Sequence, residues 1–293
     1  MILYQASLSL SILKRYYELF NQPLNVLLSV AIMQGETKGF LIDHRGKINK
    51  IVADSGAWSV AKGVSDLQIE DVISYFQLWG GKFDHYFNFD TDFSDSGFEN
   101  NISSQVRMEK AGLNPIPVVH NFFDQEIDYY VGSGRYPWIA LGSRQASNFD
   151  NLRYAVDRIK KCNPDIKIHW FGGSKFEWLI NLPIASCDTS SWGKTGGFGW
   201  IYYWNPNNPG TNKADRVYIG GRVGGEKDGY HFVTYPWKKD LEKYLDKIFG
   251  FEYGRDLCSY DDKFNMQLVN TRFFAELEYR INQERMKRGI PLQ

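Results

Sequence analysis

Eight short, nearly continuous apolar runs recur along the chain, with helical patterns between them. They fall at 25–31 (NVLLSVA), 51–54 (IVAD), 85–90 (HYFNFD), 116–120 (IPVVH), 138–142 (WIALG), 167–172 (KIHWFG), 184–188 (IASCD) and 216–220 (RVYIG). Runs of this length and continuity are what strands buried on both faces require, and such strands belong to parallel sheets covered by helices. The intervening segments supply the helices. Residues 68–79 place Ile69, Val72, Ile73, Phe76 and Trp79 on one stripe, and residues 147–162 do the same with Leu152, Ala155, Ile159 and Cys162. Segments 174–182, 238–249 and 261–288 carry similar patterns. Eight strands alternating with helices predict an α/β fold of the (β/α)8 TIM-barrel type with a C-terminal helical extension. A doubly wound open sheet is the alternative, although no GxGxxG follows an early strand.

A length of 293 residues suits one such barrel, and 43% hydrophobic residues are enough for its core. The expected layout is a single domain over 1–293, with the barrel at about 20–250 and the helical segment at 251–293. The N-terminal residues, MILYQASLSLSILKRYYELF, read as a folded strand or helix rather than a signal peptide. Residues 193–213 and 221–229 are rich in glycine and turn formers and read as loops, neither matching a Walker A loop. No run of about 18 apolar residues predicts a membrane span. The three cysteines are odd in number and form no CxxC pair, which fits a reducing compartment such as the cytoplasm. Formal net charge is zero, so any nucleic-acid footprint must be local. The basic clusters at 158–161, 238–239 and 285–288 read as solvated helix faces.

The polar residues at the run ends carry the chemistry. Asp54 closes IVAD, Asp90 closes HYFNFD, His120 closes IPVVH and Asp188 closes IASCD. Gly142, Ser143 and Arg144 follow WIAL, and Gly172 and Gly173 follow IHWF. In a βα barrel the C-terminal strand ends meet at the catalytic mouth. Taken singly, each of these residues also suits a helix N-cap. Taken together, several carboxylates at one mouth point to glycosidic chemistry, in which one attacks an anomeric carbon and another moves protons. A metal site is the competing use of such carboxylates, but HxH and HExxH are both lacking, as is the GxSxG of a serine nucleophile.

Five segments, in order, resemble the tRNA-guanine transglycosylases, over roughly residues 50–192. DSGAWS at 54–59 resembles that family's DSGGFQ or DSGGYQ signature. The resemblance implies that Asp54 is the general acid/base, that Trp58 stacks on the base, and that Ser55 and Gly56 line its site. FNFD at 87–90 implies that Asp90 reads the guanine edge, and VVH at 118–120 puts His120 where the family has Gln. ALGSR at 140–144 implies base contacts at Gly142, Ser143 and Arg144. FGGSKFEWLINLPIASCD at 171–188 is similar to the stretch ending in the family nucleophile, which implies that role for Asp188, with Gly172 and Gly173 at the base.

Two departures narrow the resemblance. The CxCxxC…H zinc site of the tRNA enzymes has only Cys258 to match it, so no zinc and no other cofactor is expected. Thr189-Ser190-Ser191-Trp192 replaces the family's Pro-Thr-Arg. The chain therefore looks more like the phage and bacterial DNA-guanine transglycosylases, which insert 7-deazaguanine derivatives into DNA. The implied partners are nucleic acid, DNA rather than tRNA, and a free 7-deazapurine base, with a homodimer allowed and no membrane. The alternatives are a tRNA enzyme, a nucleoside or glycoside hydrolase, and a nucleoside-binding barrel without catalysis.

Overall fold

The computed structural model describes residues 1–33, 35–94, 96–220, 229–257 and 262–292. Cys258 and most of the 221–229 loop lie outside the described residues. The chain divides into two compact units. The first comprises Met1–Ser7, Leu24–Thr189 and Ile281–Gln293, and the second comprises Leu8–Pro23 and Ser190–Arg280.

The first unit is built on eight parallel strands: β1 (Ile2–Ala6), β2 (Leu24–Ser29), β3 (Ile48–Asp54), β4 (His85–Tyr86), β5 (Val118–Val119), β6 (Trp138–Leu141), β7 (Lys167–Trp170) and β8 (Ser186–Thr189). Their order across the sheet is β4-β3-β2-β1-β8-β7-β6-β5. Beyond the two edge strands, Phe87 bridges Ile116 in parallel, with the Asn88 N–H donating to Ile116 and the Ile116 N–H to Tyr86 (3.0 and 2.8 Å). The sheet is thus curled, α/β and TIM-barrel-like, with helices flanking it. α1 (Leu10–Phe20) follows β1 in sequence and belongs to the second unit. α2 (Val30–Met33) follows β2, α3 (Ala57–Ala61) and α4 (Ile69–Trp79) follow β3, and α5 (Phe98–Lys110) follows β4. α6 (Glu126–Gly132), α7 (Phe149–Cys162) and α8 (Phe176–Leu179) follow β5, β6 and β7. α7 shows why these segments form helices. The Asn148 side chain accepts the Asp150 and Asn151 N–H groups, and Leu152, Ala155, Val156 and Ile159 make one buried stripe.

The curled sheet is filled by its own inward residues. Tyr4, Ala6, Leu27, Val52, Phe87, Ile116, Val118 and Ala140 form one buried cluster, with Ile2, Trp138 and Phe171 packed against it. Because strand side chains alternate, the residue two positions past each of these faces the same interior. Asp54 follows Val52, His120 follows Val118, and Gly142 follows Ala140 by that step.

Three expectations need correction. Run 216–220 is not a strand of the parallel sheet; Ile2–Ala6 takes that place, pairing with both β2 and β8. The polar Tyr4 and Gln5, both buried, hide a central strand in an N-terminal segment that lacks a plain apolar run. The expected solvated face at 285–288 also fails at Arg285, which is fully buried. Its guanidinium donates to the carbonyls of Leu179, Leu182 and Ile184, just before β8.

In the second unit, α9 (Ser191–Gly197), β9 (Trp200–Trp204), β10 (Ala214–Tyr218), β11 (Tyr230–His231), α10 (Lys238–Phe249) and α11 (Lys263–Arg288, in this unit up to Arg280) follow one another. β9 and β10 pair antiparallel and β10 and β11 parallel, so run 216–220 belongs mostly to this small sheet. The expected 193–213 loop contains α9 and β9. Trp200, Ile201, Tyr202, Tyr203 and Trp204 are strong strand formers, and the flanking glycines and asparagines mask them. Asn270 on α11 fixes the sheet by accepting from the Tyr202 N–H and donating to the Trp192 and Trp200 carbonyls. Among the described residues no helix is long and apolar enough to cross a membrane.

Candidate active site

Every residue singled out at the strand ends lies in the first unit. Asp54 is the last residue of β3, and Ser55 and Gly56 turn the chain into α3. Gly56 needs its glycine twice over. Its φ is +88°, and a Cβ there would lie 2.7 Å from the Ala31 Cβ. Ser55 is fully buried and donates its hydroxyl to the Asn88 carbonyl (2.6 Å), tying the end of β3 to the segment after β4.

That tie brings Asp54 towards Asp90. Burial, the charge of Asp90 and, more weakly, the charge of Asp188 push the Asp54 carboxyl up to about 7, against the Gly56 N–H and the Ser29 hydroxyl, which favour ionisation. Three carboxylates, on β3, on β8 and in the segment after β4, therefore share one field. Asp90 meets His120 across 2.6 Å, with both side chains almost wholly buried. Burial opposes the imidazolium, but the hydrogen bond and charge of Asp90, helped by Glu126 and Asp92, raise the His120 value above the ordinary one. Glu126, buried at the start of α6, accepts the His120 N–H at 2.7 Å.

Asp188 is also buried. Its Oδ1 accepts the Gly172 N–H at 2.9 Å, while Oδ2 accepts no hydrogen bond among the described residues. Gly172 sits at φ +66°, which aims that amide at β8. Gly173 presses its backbone onto the Trp170 ring, where a Cβ would approach to 2.2 Å. At Gly142 a Cβ would come within 2.7 Å of Val118 and 3.7 Å of the His120 ring, so glycine leaves that side of His120 clear.

Trp58 is 48% exposed on α3. It meets Phe93 edge-on at 5.2 Å, and Phe93 meets His120 edge-on at 4.7 Å, so the three rings run from the rim to the Asp90–His120 pair. The Lys62 ammonium lies over Trp58 at 4.6 Å. Ser143 is drawn into local structure, accepting the Gln145 N–H. Arg144 is exposed and has no ion pair or side-chain hydrogen bond among the described residues.

Sequence reasoning passed over His169, Ser186, Phe93 and Glu126. His169 left a signal, a polar residue inside the apolar run KIHWFG at an inward position. Phe93 and Glu126 lie outside any strand and left none. Among the described residues no group of three or more His, Cys, Asp or Glu is arranged to hold a metal ion. No protein-family model matches the chain, and no curated protein sequence matches it.

Proposed function

We propose that the chain is a base-exchange transglycosylase that replaces guanine in DNA with a 7-deazaguanine derivative, working at the mouth of a (β/α)8 TIM barrel. The observation that carries this reading is the trio of carboxylates with divided duties. Asp54 is pushed to about 7, Asp188 is anchored through one oxygen with the other free, and Asp90 is paired with His120.

Retaining glycosidic exchange needs a nucleophilic carboxylate and a second group able to give and take a proton near neutral pH. In the first half-reaction the Asp188 Oδ2 attacks C1′ of the nucleotide. The C1′–N9 bond breaks, its electron pair stays on the purine, and protonated Asp54 supplies the proton that leaves with guanine. In the second half-reaction ionised Asp54 takes the N9 proton of the incoming deazapurine. N9 then attacks C1′, and the C1′–O bond electrons return to Asp188. Two inversions retain the configuration, and no energy-rich co-substrate enters.

The target base leaves its stack to reach such a mouth, or comes from a single strand. Trp58 and Phe93 offer ring faces and edges for it. The Asp90 oxygen not held by His120 accepts the purine's amino and ring N–H groups, and Arg144 faces solvent, where a phosphate is met.

The test is to incubate the chain with DNA and with tRNA, add labelled 7-deazaguanine derivative, and follow which polymer gains label. Label in DNA, with binding that weakens as salt rises, supports the reading. Faster labelling of tRNA moves the acceptor to RNA. Release of guanine with no incorporation makes the chain a hydrolase.

A further inference from the structure

His169 lies on β7 in register with Ser186 of β8, and the alternation of β8 turns Ser186 and Asp188 to the same side. It is 1% exposed, and its ring is packed by Phe87 and Phe171 at 4.7 Å and by Tyr4 at 6.3 Å. Its Nδ1 is 2.9 Å from the Ser186 hydroxyl. Its Nε2 has no hydrogen-bond partner among the described residues and stands 3.4 Å from Oδ1 of Asp188.

A buried polar atom left without a partner is costly and calls for an explanation. The two tautomers differ sharply here. A lone pair on Nε2 would face the carboxylate with like charge density, whereas an N–H would face it with attraction. Nε2 therefore carries the proton, and the Ser186 hydroxyl donates to Nδ1. A movement of a few tenths of an ångström then makes a charge-assisted bond from Nε2–H to Oδ1.

We infer that His169 is a positioning residue for Asp188: with the Gly172 N–H it clamps Oδ1, leaves Oδ2 to meet C1′, and stabilises the charge that returns to the carboxylate when the adduct breaks. No bond to His169 forms or breaks, and its proton stays on Nε2. The role rests on the reading of Asp188 as nucleophile, so the test has one arm that does not depend on exchange.

In the first arm, nitrogen NMR on histidine-labelled full chain reads the ring; the chain has five histidines, and His169 is assigned by the signals lost in His169→Gln. The expected result is the Nε2–H tautomer, with an Nε2 signal that moves in Asp188→Asn. An Nδ1–H tautomer, or signals indifferent to Asp188→Asn, overturns the inference. In the second arm, a guanine-containing DNA oligonucleotide and labelled 7-deazaguanine report single turnovers. His169→Phe keeps the ring volume and loses the donor, so adduct formation and breakdown should slow about 10–100-fold with KM for the free base unchanged. His169→Gln restores a donor and should recover much of the rate. A wild-type rate in His169→Phe overturns the inference. Coupling by NMR in a wild-type chain that forms no adduct with any polymer would sink the exchange reading and leave the clamp on Asp188 standing.

Discussion

At the scale of single residues, the proposed chemistry depends on Asp54 and Asp188 being unlike. Asp188→Asn keeps the Gly172 contact within reach but removes the attacking carboxylate, so exchange should fall by several orders of magnitude and no covalent band should appear on denaturing gels of enzyme with DNA. Asp54→Asn keeps the nucleophile and loses the proton carrier, which costs about 10²–10⁴-fold. A band that survives in Asp188→Asn and vanishes in Asp54→Asn would exchange the two roles. Because Asp54 stands at about 7 and serves as acid and then as base, the wild-type rate should peak near neutrality. His120 differs from both. It holds Asp90 at 2.6 Å, and the proposed bond cleavage assigns it no proton transfer. His120→Gln should keep exchange while shifting the preference between guanine and deazaguanine by about 10-fold, read by competition between the two labelled bases. Total loss of activity in a folded His120→Gln would instead mark the imidazole as an acid/base.

At the scale of elements, the end of α11 fastens the strand that carries Asp188. Asn282 binds the N-terminal ammonium and the Met1 carbonyl, at the start of β1, and Arg285 gathers three carbonyls ahead of β8. Burial pulls the Arg285 guanidinium down to about 10, yet it stays charged at neutral pH and is satisfied by those carbonyls. Arg285→Leu leaves several buried carbonyl groups without their donor. It should destabilise the chain by about 2–4 kcal/mol, seen as a lower urea midpoint with an unchanged slope. A midpoint within experimental scatter of wild type would show that the carbonyls find other donors.

At the scale of the whole molecule, three buried groups make folding depend on pH in the same direction. Asp54 and Glu126 are raised, chiefly by burial, and His120 is raised by its acidic neighbours against burial. A raised group contributes its full stability below its unfolded value and loses it as pH climbs through the folded one. For Asp54 the loss runs from about pH 4 to about pH 7 and amounts to at most about 4 kcal/mol. Asp92, held low first by the Ser94 hydroxyl and then by Asn100, works the other way and sets in only as the medium becomes acidic, while His85, lowered chiefly by burial, offsets part of the gain below its ordinary value. Urea midpoints should therefore be higher at pH 5.5 than at pH 8.5, and Asp54→Asn should flatten that slope. A wild-type midpoint that rises towards pH 8.5 would mean that Asp54 is ionised without penalty.

Much of this was legible in the sequence, because it follows from local pattern. Seven of the eight apolar runs are strands of the parallel sheet, since a strand buried on both faces has little freedom in composition. The strand-end aspartates Asp54 and Asp188 stood out for the same reason, as charges closing apolar runs. Tertiary structure decided the rest. Only packing shows that Tyr4 and Gln5 sit in a central strand and that Arg285 is a buried donor to three carbonyls. Only packing shows that Trp200–Trp204 pairs with Ala214–Tyr218 in a sheet of its own. At the site, the clustering of three carboxylates, the rise of Asp54 and the approach of His169 to Asp188 join residues 19 to more than 130 positions apart. Desolvation and charge act through space, so side-chain pattern along the chain predicts which residues end their strands, and folding alone sets which of them feel one another.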